Sequence, residues 1–270
     1  MREEKNMDLG FKGKVALVLS SASGIGKGIA TEFAREGAVV AIATAKAYEK
    51  DLLQAQEDIA QATGNRPHIF FYDVKDPDSI TKMVTEVGNS LGGLYALVNH
   101  CPGPKAGSFE TLTEEDWADG YEKCLHSYTF AIRAALPFMK EAGEGRILNS
   151  TSSSIKQALD NLILSNTFRM GVVGMSKTLA RELGKYGILV NTMGPGRIYT
   201  ARIAYLNGIR AQKAGMTEEE YTKKDCASFP LNRYQNVEEY GRTAVFLCSP
   251  ANSGVSGQHL LCDGAMTTAY

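Results

Sequence analysis

The sequence predicts an α/β fold: a doubly wound parallel sheet of seven strands with helices on both faces, folded as a single domain. Three observations carry this. Short, almost continuously apolar runs recur along the chain, amphipathic stretches of about a dozen residues or more separate them, and Ser, Gly and Pro cluster where the apolar runs end. Parallel strands are covered on both faces, so they read as unbroken aliphatic runs, and the helices that connect them supply the covers by right-handed crossovers. Neither a short repeat nor a linker divides the 270 residues.

The first strand is Val15–Leu19, followed by the turn Ser20–Gly26 and a helical pattern through Arg35. Gly37-Ala38 precedes a second strand, Val39–Ala43, and Tyr48–Ala62 is helical, with Leu52, Ala55, Ile59 and Ala62 on one face. His68–Tyr72 is the third strand, and the next helix carries Ile80, Met83, Val84 and Val87. Leu94–Asn99 is the fourth strand. A loop rich in proline and glycine follows it, and then a long helical region, Glu114–Met139, expected to bend near Pro137. Gly145–Ser150, Ile188–Asn191 and His259–Leu261 are the remaining strands, with a long helix at Leu162–Leu183. Ile198–Pro230 interrupts the rhythm. It predicts one or two short helices outside the sheet, placed either to cover a ligand crevice as a lid or as an ordinary surface insertion.

Composition narrows the function. Twenty-nine basic against thirty acidic residues give a formal charge of -1, which argues against a nucleic-acid partner. With 44% hydrophobic residues and 27 glycines the chain is an ordinary globular protein with ample core. The five cysteines are widely spaced and lack a CxxC pair, so neither a disulfide framework nor a metal site is expected, and a reducing cytoplasm fits best. The opening MREEKNMDLGFKGK is charged, which predicts a loose polar tail with Met7 as a second start and no signal peptide. No apolar run is long enough for a membrane span.

Strand, Ser20–Gly26, then helix is the context of a dinucleotide site, a Rossmann-type arrangement. Gly24 and Gly26 would let the backbone approach a pyrophosphate at the positive end of the helix, and Ser20 and Ser21 could donate hydroxyls to it. The same turn also serves close helix–sheet packing. At this point the chain resembles the short-chain dehydrogenase/reductase family over nearly all of Phe11–Met266. The family's TGxxxGIG stands here as Leu19-Ser20-Ser21-Ala22-Ser23-Gly24-Ile25-Gly26, and its NNAG aligns with Asn99-His100-Cys101-Pro102. Asp73-Val74 matches the family's acidic residue expected to meet the adenine. Asn191 through Pro195-Gly196 matches N-x-x-x-P-G, Thr200 falls where a threonine often touches cofactor, and Asp263-Gly264 also matches. The resemblance implies NADP or NAD as cofactor, held by Ser20, Ser23, Gly24, Ile25, Gly26, Thr44, Asp73, Val74, Asn99, Arg169, Pro195, Gly196 and Thr200. Thr44 replaces the carboxylate that would repel a 2′-phosphate, and Lys46 or Lys27 could offer it positive charge, which leans the choice to NADP.

The family's active site uses a serine, a tyrosine thirteen residues later and a lysine four further on; these positions are Ser152, Ser165 and Arg169. The family's assisting asparagine aligns with Cys124, so only Ser152 is retained. An alkyl hydroxyl is a far weaker acid than a phenol, and a guanidinium does not release a proton. The proton must then come from elsewhere, and His100 is the first candidate because imidazole titrates near neutrality; His126, Tyr128 and Tyr199 are others. The leading expectation is an oxidoreductase acting on a carbonyl or alcohol, loosely similar to 3-oxoacyl-carrier-protein reductases or sugar and alcohol dehydrogenases. The alternative is a catalytically silent nucleotide-binding or scaffold protein; a lyase- or isomerase-like activity has no residue in its favour. The long helices Glu114–Met139 and Leu162–Leu183 match elements through which the family forms dimers and tetramers, with Leu260–Tyr270 a candidate for another subunit interface, so a homo-oligomer is expected.

Overall fold

A computed structural model describes residues 8–269; the tail and second start expected at residues 1–7, and Tyr270, lie outside them. Seven parallel strands form one sheet in the order β3-β2-β1-β4-β5-β6-β7. They are β1 Val15–Leu19, β2 Val39–Thr44, β3 His68–Phe71, β4 Ala96–Asn99, β5 Gly145–Ser150, β6 Ile188–Pro195 and β7 His259–Cys262. The helices are α1 Gly24–Arg35, α2 Glu49–Thr63, α3 Pro77–Leu91, α4 Glu114–Tyr121, α5 Ser127–Ala142, α6 Ile163–Leu183, α7 Ala201–Ala214, α8 Glu218–Cys226 and α9 Val237–Cys248.

Alternation along β1 sorts the two cores. Ala16 and Val18 point to the layer of α1 and α9, with Phe11, Ile29, Phe33 and Val245. Val15, Leu17 and Leu19 point to the layer of α3 and α5, with Val84, Ala135 and Met139. Because β1 pairs with β2 on one side and β4 on the other, successive crossovers leave in opposite directions beyond the carboxyl ends of β1 and β4. A crevice opens at that point.

Three expectations change in detail. The region Glu114–Met139 is interrupted by a π-helical turn at Glu122–His126, while Pro137 is accommodated inside α5. The extra residue of the π turn carries Cys124 inward to full burial. The sixth strand runs on to Pro195, because Thr192–Pro195 pairs with β7. The helix α9, not expected from the sequence, starts at an Asn236 capping box closed by Glu239. The segment after β6 forms two helices, α7 and α8, clasped by Cys226, Phe229 and Tyr234 against Ile203 and Met266. Among the described residues no helix is long and apolar enough to cross a membrane, and no cluster of three His, Cys, Asp or Glu could hold a metal ion.

Candidate active site

The turn after β1 is built from serines. Ser20 holds a left-handed backbone, φ +50°, and its hydroxyl lies 2.9 Å from Tyr72 Oη. Ser21 is fully buried: its hydroxyl donates to the Val18 carbonyl at 2.8 Å and accepts the Ala43 N–H at 3.0 Å. It ties the turn to β2 and is not available to a phosphate, contrary to the expectation from sequence. Gly24 adopts φ +55° and lines the crevice. A Cβ on Gly26 would stand 2.4 Å from the Ser20 carbonyl oxygen, so Gly26 acts by letting the helix close onto its own turn rather than by opening space for a ligand. Ser23 caps α1 without a side-chain hydrogen bond, which leaves the first-turn N–H groups of α1 to be met by something else.

Two adjoining cavities form the crevice. One of about 340 Å³ lies over the start of α1, lined by Ser20, Ser23, Gly24, Ile25 and, from the far side, Thr200. The other, about 690 Å³, is lined by Ser152, Ser165, Arg169, Pro195 and Gly196. They share Ile25, His100, Cys101, Gly103 and Arg202. Thus most of the expected cofactor and catalytic residues come together. Five do not line these cavities, Gly26 among them. Asn99 is fully buried, its amide donating to Asn149 Oδ1 at 2.7 Å, so it joins β4 to β5. Thr44 is buried at the end of β2, Asp73 accepts the Lys75 N–H, and Val74 packs against the core. Both cations expected to face a 2′-phosphate are engaged elsewhere: Lys27 pairs with Asp58, and Lys46 with Glu49 while lying over the Phe71 ring. The larger cavity has a cationic lining that sequence reasoning missed, Arg197 and Arg202, with no carboxylate among its lining residues, while Lys105, also in the lining, is paired with Asp116.

Ser152 ends the extended chain after β5, and its Oγ accepts the Ser154 N–H at 3.2 Å, leaving its own proton free to donate. Ser165, on the first turn of α6, lies 3.3 Å from Ser154 Oγ, so the two expected serines are linked through a third. Arg169, one turn further, is buried, and its partners differ from the expected ribose. Nη1 donates to Tyr128 Oη at 3.0 Å and to the Ser150 carbonyl at 3.2 Å, while Nη2 lies 3.3 Å from Cys101 Sγ. Nε has no partner.

His100 Nδ1 lies 3.1 Å from Ser150 Oγ, which lies 3.2 Å from Tyr240 Oη, and Tyr240 donates to the Met193 carbonyl at 2.8 Å. The chain has one donor at each contact when the proton sits on Nδ1, which leaves Nε2 as an acceptor. Burial, with the Arg169 charge adding to it, lowers the imidazole pKa to about 4. The ring is therefore neutral at neutral pH and lacks the imidazolium proton expected of it. The other candidate donors lie outside the crevice. Tyr128 is fully buried and donates to the Ser150 carbonyl at 2.9 Å, His126 stacks on Tyr121, and Tyr199 packs against Tyr234.

A seven-stranded doubly wound sheet, a glycine turn feeding a helix, and a crevice joining that helix to Ser152 define a nucleotide-binding α/β protein of the dehydrogenase type. The chain belongs to the short-chain dehydrogenase/reductase superfamily: the family described as Enoyl-(Acyl carrier protein) reductase matches residues 19–267. D-threitol dehydrogenase of Mycolicibacterium smegmatis is 31% identical over 271 residues, 98% of each chain. The 3-oxoacyl-[acyl-carrier-protein] reductase FabG of Aquifex aeolicus is 30% identical over 260 residues, 96% of this chain and 100% of the relative. The crystal structure of L-sorbose reductase from Gluconobacter frateurii, complexed with NADPH and L-sorbose, superposes with a TM-score of 0.92 at 29% identity, over 98% of this chain and 100% of the other.

Proposed function

We propose that this chain is an NAD(P)-dependent oxidoreductase that transfers a hydride between NADP(H) or NAD(H) and a carbonyl or alcohol substrate, in the manner of sugar and alcohol dehydrogenases and 3-oxoacyl-carrier-protein reductases. One observation carries the reading: the two cavities share a wall, so a ligand phosphate at the unmet N–H groups of α1 and a substrate carbonyl at Ser152 occupy one continuous crevice. The bound nicotinamide supplies the hydride; the protein supplies orientation and a proton route. The first-turn N–H groups of α1 hold the pyrophosphate, and Ser152 donates to the substrate oxygen as negative charge grows on it.

The positions of the family's tyrosine and lysine are held by Ser165 and Arg169. Neither replaces a phenol as acid. The proton would come from bulk solvent by way of water at the Ser152 and Ser165 hydroxyls, which line the cavity, with the neutral His100 as an acceptor beside it. Absence of a carboxylate at Thr44 favours NADP, now without help from Lys27 or Lys46. The cationic lining at Arg197 and Arg202 favours a substrate bearing an anionic group. The segment α7–α8, whose first residues line the crevice, serves as its lid, and the chain works as a homo-oligomer in the cytoplasm.

Titrating nicotinamide fluorescence with NADPH and NADH, followed by a screen of carbonyls and alcohols, tests this. Binding with turnover supports it, and no binding of either up to about 1 mM refutes it. The inward-turned Arg169 favours a second reading, a silent nucleotide-binding or scaffold protein, and binding without turnover on any substrate selects that one.

A further inference from the structure

The buried Arg169 guanidinium meets Tyr128, the Ser150 carbonyl and Cys101, and no carboxylate is among these partners. A cation withdrawn from water is costly unless an anion lies beside it, and of the three partners the Cys101 thiol is the group that readily becomes one. Cys101 Sγ is 3.3 Å from Nη2 and 3.9 Å from the sulfur of Cys124, which the π turn carries inward. Although the residue is only 3% exposed, it lines both cavities, so the crevice leads a small solute to it.

We propose that Cys101 and Cys124 form a reversible dithiol–disulfide couple in the floor of the crevice, with Cys101 as the attacking thiolate, Cys124 as the resolving thiol and a hydroperoxide as the oxidant. The electrostatics agree. The contact with Cys124 and the Arg169 charge hold the Cys101 pKa down to about 6 against its burial. The same contact and burial push Cys124 up, so it keeps the proton.

With hydrogen peroxide, the Cys101 thiolate attacks one oxygen. An S–O bond forms, the O–O bond breaks, and the departing hydroxide takes a proton to become water. Cys124 sulfur then attacks the sulfenic sulfur: the S–S bond forms, the S–O bond breaks, and the hydroxyl leaves with the Cys124 proton as a second water. Two thiols and one peroxide yield one disulfide and two waters. The sulfurs must approach by about 1.9 Å to reach bonding distance, a movement for side-chain rotation and the irregular π turn to supply. Oxidation also deprives Arg169 of its anion. The reduced form is therefore favoured, and an external dithiol reverses the reaction.

The experiment treats the whole chain at pH 7 with stoichiometric hydrogen peroxide, alkylates the remaining thiols, and identifies peptides by mass spectrometry. Cys101 and Cys124 should be lost together as one cross-linked pair that dithiothreitol restores, while Cys226, Cys248 and Cys262 stay alkylatable. In Cys124→Ser, sulfenic acid should persist on Cys101 and be trapped by dimedone. Arg169→Gln should slow Cys101 oxidation at pH 6 by roughly tenfold and move its pH midpoint upward. If that variant does not fold, Cys124→Ala serves in its place and should raise the same midpoint. Loss of another cysteine first, oxidation of Cys101 without Cys124, or a cross-link to a third cysteine overturns the proposal. None of these readouts depends on nucleotide binding.

Discussion

Replacing His100 by Asn isolates the effect of burying an imidazole at the crevice wall. The folded ring titrates at about 4 and the unfolded ring near 6.5. Between these values the unfolded chain binds a proton that the native chain does not, so stability is full above the unfolded pKa and is lost as pH falls toward 4. Two-state linkage gives a loss of about 2 kcal/mol between pH 7 and pH 5, trimmed somewhat because the ring is only half-buried and water screens it. Asn removes the titration but also the Nδ1 contact to Ser150, at a cost of about 1 kcal/mol at pH 7. Urea unfolding followed at pH 5, 6 and 7 by the single tryptophan should show the wild type losing stability more steeply than His100→Asn by about 2 kcal/mol over that range. Equal slopes would mean that the folded ring titrates normally, and the neutral tautomer assigned here would be wrong.

Arg169→Met strips Cys101, Tyr128 and the Ser150 carbonyl of a shared buried donor and should cost about 3–5 kcal/mol in urea unfolding; a loss below about 1 kcal/mol would show that the guanidinium is not engaged inward. Gly26→Ala forces a Cβ against the Ser20 carbonyl and should destabilise the fold by about 1–3 kcal/mol, whereas Gly24→Ala, whose Cβ would meet Thr200 only at ordinary contact distance but at a left-handed φ, should cost about 1 kcal/mol. Thermal melts that rank them the other way would invert the two roles. Ser165→Tyr with Arg169→Lys restores a phenol and an ammonium beside Ser152 and should raise carbonyl reduction at least about tenfold if the phenol reaches the substrate oxygen; unchanged turnover with intact NADPH binding would exclude a usable acid at position 165.

The order of strands and helices was legible in the sequence because each signal is local. Val15–Leu19 and Val39–Ala43 read as buried strands from their own aliphatic runs, and the serine and glycine turn before α1 lies within one short window. Helix α9 was not read from the sequence, although its start carries a local signal, the capping box of Asn236 and Glu239. The positions Ser152, Ser165 and Arg169 follow from the resemblance to the family's serine, tyrosine and lysine spacing, and Ser165 and Arg169, one turn apart on α6, share a face wherever that helix is placed.

Chain order, periodicity and the identity of the missing tyrosine and lysine were therefore determined by the sequence alone. What Arg169 touches was decided only by the tertiary structure. Cys101 and Arg169 are 68 positions apart and meet because β4 and β5 pair in register beneath α6. The same pairing buries Asn99 against Asn149 and places His100 beside Ser150, while the packing of α1 against α2 brings Lys27 to Asp58. Buried polar groups take whichever partner the packed elements bring within hydrogen-bond reach, and that choice is carried by no short stretch of sequence.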